Sequence, residues 1–301
     1  MKQKTKNPAK ATGTESINKN SANFDKLPLT KMAEIMCAEN LVAVKAVEKA
    51  KKEITKAVKL IEETYLKSGK IIFIGAGTSG RLGILEAAEC PPTFSTSPNT
   101  FIGLIAGGNK AVFKSVEGAE DNAKQGAKDF LKIANKKDLL IGIASSGTTP
   151  YVLGALKEAK KQGNKTVFIS SNKIAKNAGA DITIFLNTGA EVISGSTRLK
   201  AGTAQKLVLN MLTTMAMARV GKVYKNYMVD LQAKNEKLKT RATRLIALSA
   251  NISTEEAKKY AQKTNYCVKE AVIMAKLKVS QKQAKEILKK HKGFLRRALN
   301  E

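Results

Sequence analysis

The sequence predicts an α/β protein: a five-stranded, parallel, doubly wound sheet with helices before it and a small helical domain after it. Three observations carry this expectation. Short apolar runs starting at Ile71, Phe101, Leu139, Thr166 and Ile182 alternate with stretches of helical pattern. The runs are largely continuous, as strands buried on both faces are. Two of them open into loops dense in Gly, Ser and Thr, the composition of strand-to-helix corners that hold anions. Composition divides the chain into a polar tail (1–25), a sheet domain with flanking helices (26–234) and a helical domain (235–301).

Met1 to Ala22 is polar and Lys-rich, without the apolar core of a signal peptide, and reads as a flexible tail up to about Gly13. Leu29 to Leu66 is helical in pattern. Ala33, Ile35, Met36, Val42, Val44, Val47, Ile54, Val58 and Ile61 recur with mixed three- and four-residue steps among them, which predicts two helices meeting near Glu39-Asn40. Lys67-Ser68-Gly69-Lys70 ends the second and leads into the first strand.

That strand, Ile71-Ile72-Phe73-Ile74, breaks into Gly75-Ala76-Gly77-Thr78-Ser79-Gly80, and Arg81 to Ala88 reads as a helix. A strand, a glycine turn and a helix start form an anion site, because backbone N–H groups and the helix dipole face the ligand. The spacing Gly75-x-Gly77-x-x-Gly80 also fits the dinucleotide fingerprint. That fingerprint needs an acidic residue at the end of the second strand. Here the second run ends Leu104-Ile105-Ala106-Gly107, whereas Thr78 and Ser79 add hydroxyls that suit a phosphate monoester. A structural turn without a ligand is the bland alternative.

Val112 to Ile133 reads as a helix, and Leu139 to Ala144 as a strand buried on both faces. It opens into Ser145-Ser146-Gly147-Thr148-Thr149-Pro150 ahead of a helix from Tyr151 to Gln162. Hydroxyls at such a corner can cap the helix, but this loop carries more of them than capping needs. Strands follow at Thr166–Ser170 and Ile182–Leu186, separated by 172–180. Gly189 to Lys206 then leads into an apolar helix through Ala218, whose segment from Leu207 to Met217 suits burial between the sheet and a partner subunit. Beyond Asn235 the pattern gives short amphipathic helices at Glu236–Ala250, Thr254–Tyr260, Tyr266–Leu277 and Ser280–Lys290.

A formal net charge of +28 would fit a nucleic-acid or membrane binder. The charge is mostly lysine spread over the helices, with few arginines and no aromatic residues interleaved with basic clusters. It reads as a solvated surface, with no specific nucleic-acid or membrane partner. Cys37, Cys90 and Cys267 are scattered and odd in number, which points to a reducing compartment. The only histidine, His291, excludes a His-based zinc site and leaves carboxylates as the natural proton carriers.

Gly75-Ala76-Gly77-Thr78-Ser79-Gly80-Arg81-Leu82-Gly83, Glu89-Cys90-Pro91-Pro92-Thr93 and Glu117-Gly118-Ala119-Glu120-Asp121 together resemble the N-acetylmuramic acid 6-phosphate etherases, lyases built on the sugar isomerase (SIS) domain. Gly189 to Lys206 resembles the same family. So does Thr14-Glu15-x-x-Asn18-x-x-Ser21, although many members carry Arg where Ile17 stands. The resemblance implies a flavodoxin-like sheet and a carbon–oxygen lyase acting on a sugar phosphate with neither cofactor nor metal. Leu29 to Leu66 and Leu207 to Met217, which carry the largest apolar faces outside the strands, predict a cytoplasmic homodimer. The resemblance implies Glu120 as the base at C2 of the sugar and Glu89 as the acid at the leaving group. It implies phosphate contacts from Thr78, Ser79, Ser145, Ser146 and Thr148, with Glu191, Ser196 and Arg198 in the pocket. A SIS-domain isomerase and a non-catalytic sugar-phosphate regulator remain as alternatives.

Overall fold

The computed structural model describes residues 13–173 and 179–301. The tail expected before Gly13, and the middle of the 172–180 connection, lie outside the described residues. The chain forms two compact units. One holds Met1–Ala87 with Thr100–Leu212, the other Ala88–Asn99 with Thr213–Glu301.

The first unit is built on five parallel strands: β1 (Ile71–Gly75), β2 (Phe101–Ile105), β3 (Leu139–Ile143), β4 (Lys165–Ser170) and β5 (Ile182–Phe185). Their order is β2-β1-β3-β4-β5, the flavodoxin-like arrangement, so the expected class holds. Ile71 to Ile74 of β1 and Leu139, Leu140, Ile141 and Ile143 of β3 are fully buried. Each contributes about 1.5–3 kcal/mol of hydrophobic stabilisation. The chain leaves β1 toward β2 on one side and returns to β3 on the other, so the crevice between the carboxyl ends of β1 and β3 is the topological switch point.

Two helices precede the sheet, α1 (Leu29–Lys49) and α2 (Lys51–Leu66). They meet at Ala50, and not at the expected Glu39-Asn40. Glu39 is buried inside α1, where it pairs with Lys200 and accepts hydrogen bonds from Asn18 Nδ2 (2.8 Å) and Asn20 Nδ2 (3.0 Å). Burial alone would raise the pKa of Glu39. These hydrogen bonds and the Lys200 charge outweigh burial and hold it below its ordinary value.

The helix after the glycine turn, α3 (Gly77–Phe94), starts inside the glycine motif and continues past Ala88 to include Pro91 and Pro92. The expected helix from Val112 to Ile133 is broken into α4 (Lys110–Phe113), a 3₁₀ turn at Ala119–Asp121 and α5 (Ala123–Leu131). Gly118, at φ +75°, turns the chain left-handed between them, a conformation no helix interior accepts. Next comes α6 (Pro150–Lys161), held tightly on α5. A Cβ on Gly126 would lie 1.9 Å from the Tyr151 carbonyl oxygen, and one on Gly154 2.1 Å from that of Ala123. In α7 (Lys200–Arg219), Val208, Leu209, Leu212, Ala216 and Met217 are fully buried within the chain itself.

The second unit contains α8 (Glu236–Ala250), α9 (Thr254–Lys263), α10 (Val268–Leu277), α11 (Gln281–Lys290) and α12 (Leu295–Ala298), close to the pattern expected. Ser253 and Ser280 cap α9 and α11, and Ser280 forms a reciprocal capping box with Gln283. Buried Lys269 ties this unit together by donating to Asp230 Oδ2 (2.6 Å) and to the carbonyls of Gly221 (2.8 Å) and Gly293 (2.9 Å). No helix among the described residues is long and apolar enough to cross a membrane.

Candidate active site

At the switch point the chain must pass from β1 into α3 within two residues. Gly75 and Gly80 make this possible. A Cβ on Gly75 would sit 2.6 Å from the Gly80 nitrogen, and one on Gly80 2.6 Å from Ile105 Cγ1. The first turn of α3 therefore lies directly against the sheet end. On the neighbouring strand, Ser145 to Thr149 carry the chain from β3 to α6, with Thr149 at the N-cap and Pro150 opening the helix. Two helix N-termini thus face one crevice, and each favours negative charge.

The crevice is a cavity of about 290 Å³. Thr78, Ser79, Ser145 and Ser146 line it on the loop side, and Glu120 lines it from the 3₁₀ turn at Ala119–Asp121. The structure therefore brings five of the expected residues to one cavity. Ser79 and Ser145 are themselves nearly buried, whereas Ser146 is exposed, with its Oγ 3.3 Å from Thr149 Oγ1.

The other expected residues stand elsewhere. Thr148 is exposed, and its backbone N–H donates to Ser146 Oγ (3.2 Å). Glu191, expected in the pocket, is fully buried, and its two oxygens accept from the backbone N–H groups of Lys200 and Ala201, each at 2.9 Å. It serves the N-terminus of α7, where a carboxylate satisfies orphan donors and complements the dipole. Ser196 and Arg198 do not line the cavity; Gly195 and Thr197 from the same loop do. Glu89 lies exposed on α3, in the second compact unit, and is not among the lining residues.

The cavity also holds groups that the sequence reading left out. Arg81 donates from Nε to the Val112 carbonyl (2.9 Å) and lines the wall, bringing a guanidinium to the anion-favouring side. Glu15 lines it as well. Its segment is pinned by mutual hydrogen bonds between Thr14 and Asn172 (2.9 and 2.8 Å) and by the Ser21 hydroxyl donating to the Val192 carbonyl (2.7 Å). Gln205 of α7 is fully buried and bridges the two hydroxyl loops. Ser79 Oγ donates to its Oε1 (2.9 Å), and its Nε2 donates to Ser145 Oγ (2.8 Å). The available signal was a polar amide in an otherwise apolar helix, since a buried amide requires partners.

Chemically, the arrangement offers hydroxyls, helix N-termini and a guanidinium to an anion, with carboxylates in the same wall for proton transfer. Residues 118–215 match the SIS domain, and residues 53–160 match the N-terminal SIS domain of glucokinase regulatory protein. A phosphoheptose isomerase from Francisella tularensis has a similar structure, with a TM-score of 0.50 and 18% identity, covering 63% of this chain and 98% of that one. At that identity the likeness concerns the fold alone. Sheet order, cavity placement and domain matches define a SIS-domain protein. In sequence the chain is 48% identical, over 288 residues, to the N-acetylmuramic acid 6-phosphate etherase of Bacillus cytotoxicus, spanning 95% of this chain and 98% of that protein. Against the etherase of Bacillus anthracis the identity is 47% over the same shares. The chain belongs to the N-acetylmuramic acid 6-phosphate etherase family.

Proposed function

We propose that this protein cleaves the D-lactyl ether of N-acetylmuramic acid 6-phosphate by elimination and hydration, giving N-acetylglucosamine 6-phosphate and D-lactate. The observation that carries the reading is the shared cavity: the hydroxyl loops of β1 and β3 and the Glu120 carboxylate line one space of about 290 Å³. The family's name supplies the substrate.

The reaction follows from the substrate's chemistry. Opening the sugar ring exposes an aldehyde at C1 and makes the C2 hydrogen acidic. Glu120 removes that proton. The C3–O bond to the lactyl group breaks, and Glu89 protonates the departing oxygen. Water then adds across the C2–C3 double bond, its hydroxyl at C3 and a proton at C2. General acid and base assistance of this kind is worth about 10²–10⁴-fold for each group. The assignment of Glu89 rests on the Glu-Cys-Pro-Pro-Thr motif, and that of Glu120 on the motif together with its place in the cavity wall.

The phosphate is held by Thr78, Ser79, Ser145, Ser146 and the helix N-termini, with Thr148 contributing through its loop. Arg81, in the cavity wall, brings a guanidinium to the anion, whereas Arg198 lies outside the lining. The same reading makes the enzyme a cytoplasmic homodimer. Exposed Leu41 and Val44 on α1 and Leu66 on α2 support that association. The match to the glucokinase regulatory protein domain favours one second reading, a sensor that binds sugar phosphate without turnover.

Incubation of the full chain with N-acetylmuramic acid 6-phosphate in water enriched in heavy oxygen tests both readings. The expected result is label at C3 of the N-acetylglucosamine 6-phosphate and none in the D-lactate. Label in the lactate would place cleavage on the other side of the ether oxygen. Binding with no lactate released would favour the sensor.

A further inference from the structure

Gln205 sits between two serines that are chemically identical and treats them oppositely. A hydroxyl has one proton to give and lone pairs to receive with. Ser79 gives its proton to Gln205 Oε1, whereas Ser145 receives one from Gln205 Nε2 and keeps its own. Both hydroxyls line the cavity, and the amide between them is fully buried. A phosphate dianion offers only acceptors. It can take a hydrogen bond from Ser145, but toward Ser79 Oγ it meets lone pairs.

We propose that Gln205 is a positioning residue for phosphate capture. Its side-chain amide draws the Ser79 proton inward and leaves the Ser145 proton for the anion. Ser79 then serves the ligand through its backbone N–H in the first turn of α3, and its oxygen is left to accept from a ligand hydroxyl. One amide thereby couples the β1–α3 and β3–α6 loops and sets the donor pattern of the site. This rests on reading the cavity as a sugar-phosphate site.

The test is calorimetric binding of N-acetylglucosamine 6-phosphate, with N-acetylglucosamine as control, to the full chain and its variants, each checked for folding by thermal melting. Ser145→Ala is expected to weaken binding by about ten- to hundredfold, the worth of one hydrogen bond to a charged group. Ser79→Ala is expected to cost less than about threefold, because its hydroxyl donates elsewhere. In a Gln205→Met background both hydroxyls are released, and the two alanine substitutions should then cost about the same.

The asymmetry between the two serines and its loss in the Gln205→Met background is the readout a purely structural role would not move. Gln205→Glu adds a pH dependence to which the new charge and the altered hydrogen-bond pattern both contribute. An ionised carboxylate accepts from both serines and leaves no donor for the phosphate. The protonated form gives to one and takes from the other, as the amide does. Relative to wild type at each pH, binding by this variant should therefore be weakest at high pH and recover as pH falls. A variant-to-wild-type ratio that is flat with pH would overturn the proposal. Equal losses for Ser79→Ala and Ser145→Ala in the wild-type background would also overturn it, and the reverse ranking would overturn the assignment of Ser145 as the donor. If wild type binds the sugar no more weakly than the sugar phosphate, the phosphate reading fails together with the proposal. Binding that needs the phosphate but ignores Gln205 would sink the proposal alone.

Discussion

On one side of the cavity, Ser79 stands in the first turn of α3 and Ser145 just beyond the end of β3, and the two are joined through the Gln205 amide. On the other, Glu120 sits in a three-residue 3₁₀ turn entered through left-handed Gly118. The first side is over-determined. Its backbone is fixed by β1 and β3, by the close approach of Gly75 and Gly80, and by the α5–α6 glycine contacts. The second is irregular backbone with exposed neighbours, Glu117 and Asp121 among them. On the proposed reading, the difference matches two tasks. Holding a phosphate requires donors that do not shift, because each misplaced donor forfeits a charge-assisted bond. A carboxylate that takes a proton and later gives one back works from a mount with fewer constraints.

The largest effects should come from the glutamates. Gln keeps the shape of Glu but cannot carry the proton. Glu120→Gln should lose lactate release by about 10²–10⁴-fold and lose exchange of the C2 hydrogen with deuterated water to the same degree. Glu89→Gln should lose lactate release yet retain C2 exchange, since deprotonation comes first in a stepwise elimination. Normal exchange in Glu120→Gln would move the base to another carboxylate, with Glu117 next in the same wall. Mixing the two inactive variants then asks whether one chain supplies both groups. If each site of a homodimer draws Glu89 from the partner, random pairing restores about a quarter of wild-type turnover. No recovery would mean that both groups act within one chain.

The same contrast governs what the sequence disclosed. β1 and β3 are continuous apolar runs with a single plausible structure, so strands and loops were legible, and with them Ser79, Ser145 and Ser146. Glu120 was recognised by motif but its mount was misread. The periodicity of Val112 to Ile133 suits a helix, and only the φ +75° at Gly118 reveals the break. Glu191 shows the opposite failure. Its motif context suggested the pocket, while its carboxylate closes the α7 N-terminus. Gln205 escaped notice because long-range partners, 126 residues away in the case of Ser79, leave no local pattern.

A smaller effect separates two hydroxyls of one loop. Ser146 lines the cavity and Thr148 does not. Ser146→Ala should weaken binding of N-acetylglucosamine 6-phosphate by about tenfold, the lower end for a bond to a charged group. Thr148→Ala should leave it unchanged by the same calorimetric measurement. A loss at Thr148 equal to that at Ser146 would mean that the loop closes further on the ligand than its present geometry brings it.

The smallest effect tests whether the two sides are independent. A Cβ added to Gly118 meets nothing within 4 Å, so Gly118→Ala costs only the left-handed backbone. That strain is about 1–2 kcal/mol, and in a protein of this size it lowers Tm by about 2–4 °C per kcal/mol. Relief of the strain would rotate the 3₁₀ turn at Ala119–Asp121 and carry Glu120 with it, while β1, β3 and Gln205 stay in place. The expected outcome is therefore a severalfold fall in kcat with the Kd for N-acetylglucosamine 6-phosphate unchanged. Gly118→Asn should recover most of the loss, because Asn tolerates the left-handed region better than other non-glycine residues. A parallel fall in kcat and phosphate affinity would show that the carboxylate mount and the phosphate loops move as one body, and the division of the cavity into a fixed and a compliant side would be wrong.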